Sequence, residues 1–136
     1  MKKIKILIQQ KSNKEIREIS KYLIVGFITV CIDLFAYYFF IIFIGISNEN
    51  SKRISYFLGT LFAFFANKYF TFNSNKKIKN ELVLFYIIYF FSFLINSVVH
   101  DIIWIKFEID TAAFFIATFI SIIFNFLGQK YVVFKR

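Results

Sequence analysis

The sequence predicts an all-α membrane protein with four transmembrane helices, arranged as two parallel two-helix repeats. Of the 136 residues, 59% are hydrophobic and none is proline, whereas a soluble domain is usually about 45–50% apolar. The apolar residues form four long segments, at 22–46, 54–72, 82–105 and 111–134. Each is close to the roughly 20 residues that a helix needs to cross the hydrocarbon core. None shows the alternation of apolar and polar residues that is typical of a membrane β-strand.

The basic residues predict the orientation of these helices. Fourteen of the 17 lie before the first segment, at or after the end of the second, or at the end of the chain. The other two loops carry only Lys52, Arg53 and Lys106. By the positive-inside rule, both termini and the middle loop are expected on the cytoplasmic side of the plasma membrane. This placement accounts for the net charge of +9, so we expect no nucleic-acid partner.

The segment 1–20 is predicted to be a cytoplasmic basic tail, followed by a membrane domain over 21–136. The tail is expected to form either a short helix on the membrane surface or a solvated segment. The polar run Gln9–Glu15 interrupts its apolar residues, which argues against a cleaved signal peptide.

The first membrane segment contains one carboxylate, Asp33, near its middle. A charged group at this depth is costly and usually faces a partner or a polar cavity, so Asp33 is a functional candidate. The alternative is a structural hydrogen bond to the amide of a neighbouring helix, such as Asn96.

The second and fourth segments repeat each other. Adding 62 to the residue number aligns Asn67-Lys68-Tyr69 with Gln129-Lys130-Tyr131, and it aligns a row of small residues before them as well. The first and third segments repeat at a shift of 63, which places Asp33 on Asn96. The repeat halves are therefore predicted at about 21–72 and 84–134. Because each half has two spans, the halves should have the same orientation.

The duplicated amide–cation pairs suggest a ligand with a phosphate and sugar hydroxyls. Cations supply charge, and amides both donate and accept hydrogen bonds. The small residues before them more simply allow close helix packing. Lys52 and Arg53 either receive an anionic group on the outer side or act as ordinary interfacial cations. The predicted substrate-binding residues are Asp33, Lys52, Arg53, Asn67, Lys68, Asn96, Asn125, Gln129 and Lys130.

No pattern in the sequence indicates catalysis. His100 and Asp101 adjoin each other without a third positioned group, and no nucleophile or nucleotide motif is present. With a single cysteine, Cys31, an intrachain disulfide or a cysteine-based metal site is impossible. We therefore expect no enzyme activity, no metal and no cofactor.

Three motifs resemble the GtrA-like family over about residues 20–135. They are an early K-Y-L-I-V-G-F, a second helix ending in N-K-Y-F-T-F, and a last helix ending in F-N-F-L-G-Q-K-Y-V-V-F. The family ending often has Arg and Trp where this chain has Lys68 and Tyr69; lysine keeps the charge but loses the planar fork. The resemblance implies a small flippase for polyprenyl-phosphate-linked monosaccharides. It also implies a glycosyltransferase partner and a role in cell-surface polysaccharides such as O-antigen, teichoic acid or arabinogalactan.

The functional hypothesis is therefore translocation of a polyprenyl-phosphate sugar across the plasma membrane. Lys68 and Lys130 would bind the phosphate, and the sugar would move along a row of polar side chains that includes Asp33, Asn96 and Asn125. One alternative is a non-transporting anchor that recruits a glycosyltransferase, and another is a small multidrug-type exporter that depends on Asp33. Since two helices per half enclose little space, a homodimer is a further expectation.

Overall fold

The computed structural model describes residues 2–135, apart from the side chains at positions 2, 3, 49 and 110. Met1 and Arg136, at the ends of the two predicted domains, lie outside the described residues. Over 2–135 the chain forms four α-helices and no strand: α1 (Lys2–Phe39), α2 (Asn48–Ala66), α3 (Ile78–Phe107) and α4 (Asp110–Gly128). The prediction of an all-α, four-helix membrane protein is confirmed.

Three of the α-helices continue into a turn of π-helix. These turns are π1 (Phe40–Ile44), π2 (Asn67–Thr71) and π3 (Gln129–Val133). Three stretches are long and apolar enough to cross a membrane: Ile4–Ile44, Ile78–Phe107 and Thr111–Val133. α2 is the fourth helix. It begins with a mostly polar stretch, and its apolar part runs from Ile54 to Ala66, just before π2 begins.

α1 is longer than the predicted first span. It is a single helix of 38 residues that starts at Lys2, so the segment 2–20 is continuous with the membrane segment. This part of the chain has no proline or glycine and is rich in lysine, glutamate and isoleucine. Nothing in it therefore breaks the helix before the apolar residues begin.

The chain divides into two compact units, one ending at Asn73 and the other beginning at Ser74. The bounds of α2 and π2 in the first unit differ by 62 from those of α4 and π3 in the second. In each unit the π turn closes in the same way: Phe72 N–H donates to Asn67 O, and Phe134 N–H donates to Gln129 O, both at 2.8 Å. We call π2 and π3 the exit segments, because the chain leaves each helical pair there.

The first helix of each unit also ends at equivalent positions. Gly45, which follows π1, has φ +73°, and Glu108, which follows α3, has φ +53°. The shift that aligns Asp33 with Asn96 also aligns these two residues. A left-handed residue at this point terminates a helix and lets the chain turn back.

The two helices of each unit pack closely where small residues meet. In the first unit, a Cβ added at Gly59 would lie 3.4 Å from the backbone oxygen of Thr29 on α1. In the second unit the equivalent residues are Ser121 and Ser92. Each hydroxyl donates to the backbone oxygen of the other residue, at 3.4 Å and 3.3 Å. Small side chains at the crossing are what allow membrane helices to approach closely.

A second close approach lies beside the exit segment of the second unit. A Cβ added at Gly128 would lie 2.7 Å from Ile88 Cγ2, which real structures do not tolerate. The equivalent positions in the first unit hold Ala66 and Val25. Compared with the first unit, the second unit has one more methyl group at position 88 of α3 and one fewer at position 128 of α4.

We predict that Gly128→Ala lowers the free energy of unfolding by about 1–3 kcal/mol, because overpacking forces neighbouring side chains to shift. Adding Ile88→Val should recover part of the loss, since it removes Cδ1, which lies 2.9 Å from the added Cβ, and recreates the pair of residues found in the first unit. Thermal unfolding in detergent measures both variants. Gly26→Ala is the control, because a Cβ there meets nothing within 4 Å. Equal losses for Gly128→Ala with and without Ile88→Val would contradict this account.

Candidate functional site

Asp33 lies at the helix crossing of the first unit, with both carboxylate oxygens bonded to α2. Lys52 Nζ lies 2.5 Å from Oδ2, and Ser55 Oγ donates to Oδ1 at 2.6 Å. Lys52 and Ser55 share a face of α2 because they are spaced i, i+3. Gly59, one turn further on, leaves room for Asp33: its added Cβ would lie 3.4 Å from Asp33 Cβ. The carboxylate is therefore neutralised within its own unit by a cation and a hydroxyl.

Of the two side chains in the Asp33–Lys52 ion pair, Lys52 is the one more exposed to solvent. The side chain of Lys52 is 57% exposed and that of Asp33 is 21% exposed, whereas Ser55 is fully buried. Lys52 lies in the second turn of α2, close to the loop at 45–47 that joins α1 to α2. Its neighbour Arg53 is exposed. Of the two cations that the sequence places in this loop region, Lys52 is thus the one that meets Asp33.

The exit segment of the first unit buries three polar residues. Asn67, Lys68 and Thr71 are 2%, 1% and 2% exposed. Thr71 Oγ1 donates to Asn67 Oδ1 at 3.0 Å, so the amide oxygen has a partner one turn away. A π turn is rare and often marks a functional position. Here it places an amide, a lysine and a hydroxyl together in the interior.

Lys21 of α1 holds this exit segment in place. Its Nζ donates to the backbone oxygen of Phe70 at 2.9 Å and lies 4.4 Å from the centre of the Phe70 ring. The carbonyl groups at a helix end need partners outside the helix, and Lys21 supplies one. On sequence alone, Lys21 counts only as one of the fourteen basic residues that predict the orientation of the helices.

The exit segment of the second unit is built alike but is bonded differently. Gln129 is fully buried, and within residues 2–135 neither its Oε1 nor its Nε2 has a hydrogen-bond partner. The same holds for Oδ1 of Asn125, one turn earlier on α4. Lys130 is half-buried, with Nζ 5.5 Å from the centre of the Phe126 ring. Three polar atoms of the amides in this unit are thus buried without a partner in the described part of the chain.

Two buried carboxylates were missed in the sequence. Glu18 on α1 is 7% exposed and Glu81 on α3 is 2% exposed, and the two occupy equivalent positions of the repeat. Ser74 Oγ hydrogen-bonds Oε1 of Glu81. Acidic side chains are almost never buried unless they are paired. Adding 63 to the residue number, which aligns Asp33 with Asn96, also aligns Glu18 with Glu81. This repeat was the signal in the sequence that could have identified both carboxylates.

The structure brings some of the predicted residues together within a unit and leaves others apart. Asp33 meets Lys52, Asn67 is followed by Lys68, and Asn125 lies one turn before Gln129 and Lys130. Asn96 is half-buried on α3, one turn after Ser92. In the described residues the side chains of Asn96 and Arg53 form no hydrogen bond, so neither joins a cluster within its own unit.

We predict that Lys52→Gln lowers the free energy of unfolding by up to about 1 kcal/mol, a small value because Lys52 is more than half exposed. Arg53→Gln, the matched removal of a neighbouring charge, should have little effect. Adding Asp33→Asn to Lys52→Gln should cost less than the sum of the single changes, since the two side chains are coupled. Thermal unfolding of the wild type, Lys52→Gln, Asp33→Asn and the double variant, with Arg53→Gln as the control, measures this. Strictly additive losses would contradict the ion pair.

The comparisons with known proteins fit this architecture. A family model described as "GtrA/DPMS, transmembrane domain" matches residues 21–134. No curated protein matches the chain. The matched range contains α1 from Lys21 onward, the whole of α2, α3 and α4, and both exit segments. The chain therefore belongs to the GtrA/DPMS transmembrane-domain family, whose multi-pass membrane proteins are associated with the flipping of lipid-linked sugars in glycosylation.

Proposed function

We propose that this protein translocates a polyprenyl-phosphate-linked monosaccharide across the plasma membrane, for glycosylation of a cell-surface polysaccharide or teichoic acid. The observation that supports this most is the duplicated exit segment. Each unit places a buried amide and a lysine at equivalent positions of a π turn, and the lysine is buried in the first unit and half-buried in the second. A lipid-linked sugar presents a phosphate and several hydroxyls next to an apolar tail, which is the chemistry that such a pair complements.

The cations of the first unit are spaced to meet a phosphate on either face of the membrane. Lys52 and Lys68 lie on one continuous helical stretch, about 24 Å apart along its axis. The hydrocarbon core is about 30 Å thick. With the middle loop on the cytoplasmic side, Lys68 would meet the phosphate at entry and Lys52 would receive it at the outer side.

Asp33 has a defined part in this scheme. Lys52 Nζ lies 2.5 Å from one carboxylate oxygen of Asp33, and Ser55 donates a hydrogen bond to the other. The phosphate can replace Asp33 as the partner of Lys52, because the lysine side chain is exposed and flexible. Asp33 then keeps the hydrogen bond from Ser55 to Oδ1, while Oδ2 loses its partner Lys52.

The transport needs no cofactor in this proposal. The sequence has no nucleotide-binding motif, so the driving force would be the gradient of the sugar lipid or its consumption on the outer side. A glycosyltransferase is the partner that would supply or consume the sugar lipid. Because the proposal is transport without a chemical reaction, it assigns no catalytic role to any residue of this chain.

Flipping in liposomes tests the proposal. Purified protein is reconstituted with a labelled polyprenyl-phosphate hexose, and an impermeant probe measures the sugar exposed at the outer leaflet. We expect Lys68→Ala combined with Lys130→Ala to slow exposure about 10-fold or more, since a hydrogen bond to a charged group contributes about 1.5–3 kcal/mol. Lys77→Ala combined with Lys79→Ala is the control, because it removes two exposed cations, one just before α3 and one in its first turn.

Two results would contradict the proposal. Normal flipping by a folded Lys68→Ala/Lys130→Ala protein would exclude the lysines as phosphate ligands. No protein-dependent exposure with several different hexoses would favour the alternative of a membrane anchor that recruits a glycosyltransferase.

A further inference from the structure

We propose that the sugar hydroxyls are bound by the second unit alone, at a site formed by Gln129 and Asn125. This inference rests on the proposed function, because its ligand is the sugar of the same lipid. The site lies where α4 passes into its exit segment, and it contains three buried polar atoms without partners in the described chain: Gln129 Oε1, Gln129 Nε2 and Asn125 Oδ1.

Buried amides of this kind are unusual in a folded protein. Most buried polar side-chain atoms have a hydrogen-bond partner, and in a membrane no bulk water replaces a missing one. Gln129 is fully buried, so its two polar atoms have lost water without gaining a partner from residues 2–135. A group that enters from outside the chain would supply what is missing.

Comparison of the two units shows how the site arises. In the first unit the amide of Asn67 is met by the hydroxyl of Thr71. The equivalent of Thr71 in the second unit is Val133, which has a similar shape but carries a methyl group in place of the hydroxyl. The position of Asn125 is held in the first unit by Ala63. The second unit has thus lost an internal donor and gained an amide on nearly the same backbone.

The three atoms favour hydroxyls over a phosphate as the ligand. Two of them are acceptors and one is a donor. A phosphate diester brings acceptors only, so it would satisfy Nε2 and leave both oxygens without a donor. Adjacent sugar hydroxyls bring two donors and an acceptor, which matches the set. Lys130, the next residue, supplies the cation for the phosphate beside them.

Thermal stabilisation of the purified protein distinguishes the sugar from the lipid. The probes are polyprenyl phosphate and polyprenyl-phosphate hexose. We expect the hexose lipid to raise the Tm of the wild-type protein more than the sugar-free lipid does. Gln129→Leu should abolish this difference and keep the response to the sugar-free lipid. Without lipid its Tm should equal or exceed that of the wild type, because the variant no longer buries the two unpartnered polar atoms of Gln129.

Two further variants keep the test falsifiable if Gln129→Leu does not fold. Val133→Thr offers Gln129 the hydroxyl that Thr71 offers Asn67, and should weaken binding of the hexose lipid about 10-fold by closing the site. Thr60→Val is the control, because it removes a buried hydroxyl of α2 outside the exit segments, and it should retain the hexose-dependent difference. Asn67→Leu should lower the Tm without lipid, because Thr71 loses its acceptor, and it tests whether the amide of the first unit contributes to binding of the sugar.

The outcomes separate this inference from the proposed function. A hexose-dependent difference that persists in both Gln129→Leu and Val133→Thr would mean that the amides hold only ordered water, which overturns the inference and leaves the flippase intact. Loss of the difference in Asn67→Leu would overturn the assignment to the second unit. No stabilisation of the wild type by either lipid would overturn the proposed function and this inference with it.

Discussion

The need to satisfy polar groups inside an apolar protein is the constraint on which the rest of this structure depends. A helix in lipid can satisfy its backbone but must find partners for each polar side chain within the protein. The first unit does so locally: Asp33 bonds to Lys52 and Ser55, Asn67 to Thr71, and Lys21 to the carbonyl of Phe70. Within residues 2–135 the second unit provides no such partner for the side chain of Gln129, and the proposed sugar site rests on this difference.

The two units keep one backbone plan and differ in chemistry. Their helix crossings, left-handed helix ends and π turns fall at equivalent positions of the repeat. The acidic side chains Glu18 and Glu81 and the lysines Lys68 and Lys130 are also repeated. The ion pair is not, because Phe114 and Asn96 stand where the first unit has Lys52 and Asp33. The ion pair between Asp33 and Lys52 thus belongs to the first unit, and the amide atoms that have no partner in residues 2–135 belong to the second.

The sequence predicted the features that depend on length, hydropathy and residue type. These include the four helices, the constant shift between the second and fourth of them, and the duplicated amide–lysine pair. It did not predict the π turns, since no side-chain pattern distinguishes bonding to the fifth residue from bonding to the fourth. Glu18 was missed because it lies in a basic segment, which on sequence alone is expected to be exposed to water. The partners of Asp33 were missed because they depend on which face of α2 is turned toward α1.

Photochemical labelling from the sugar tests the central claim most directly, namely that buried polar groups of the exit segments contact the head group of a lipid-linked sugar. A polyprenyl-phosphate hexose with a photoreactive group on the sugar is activated in the presence of the reconstituted protein, and the adducts are mapped by mass spectrometry. The account predicts adducts concentrated in or next to the exit segments, with those near π3 suppressed by excess unlabelled hexose lipid. Adducts confined to the exposed apolar face of α1, or unaffected by the competitor, would contradict it.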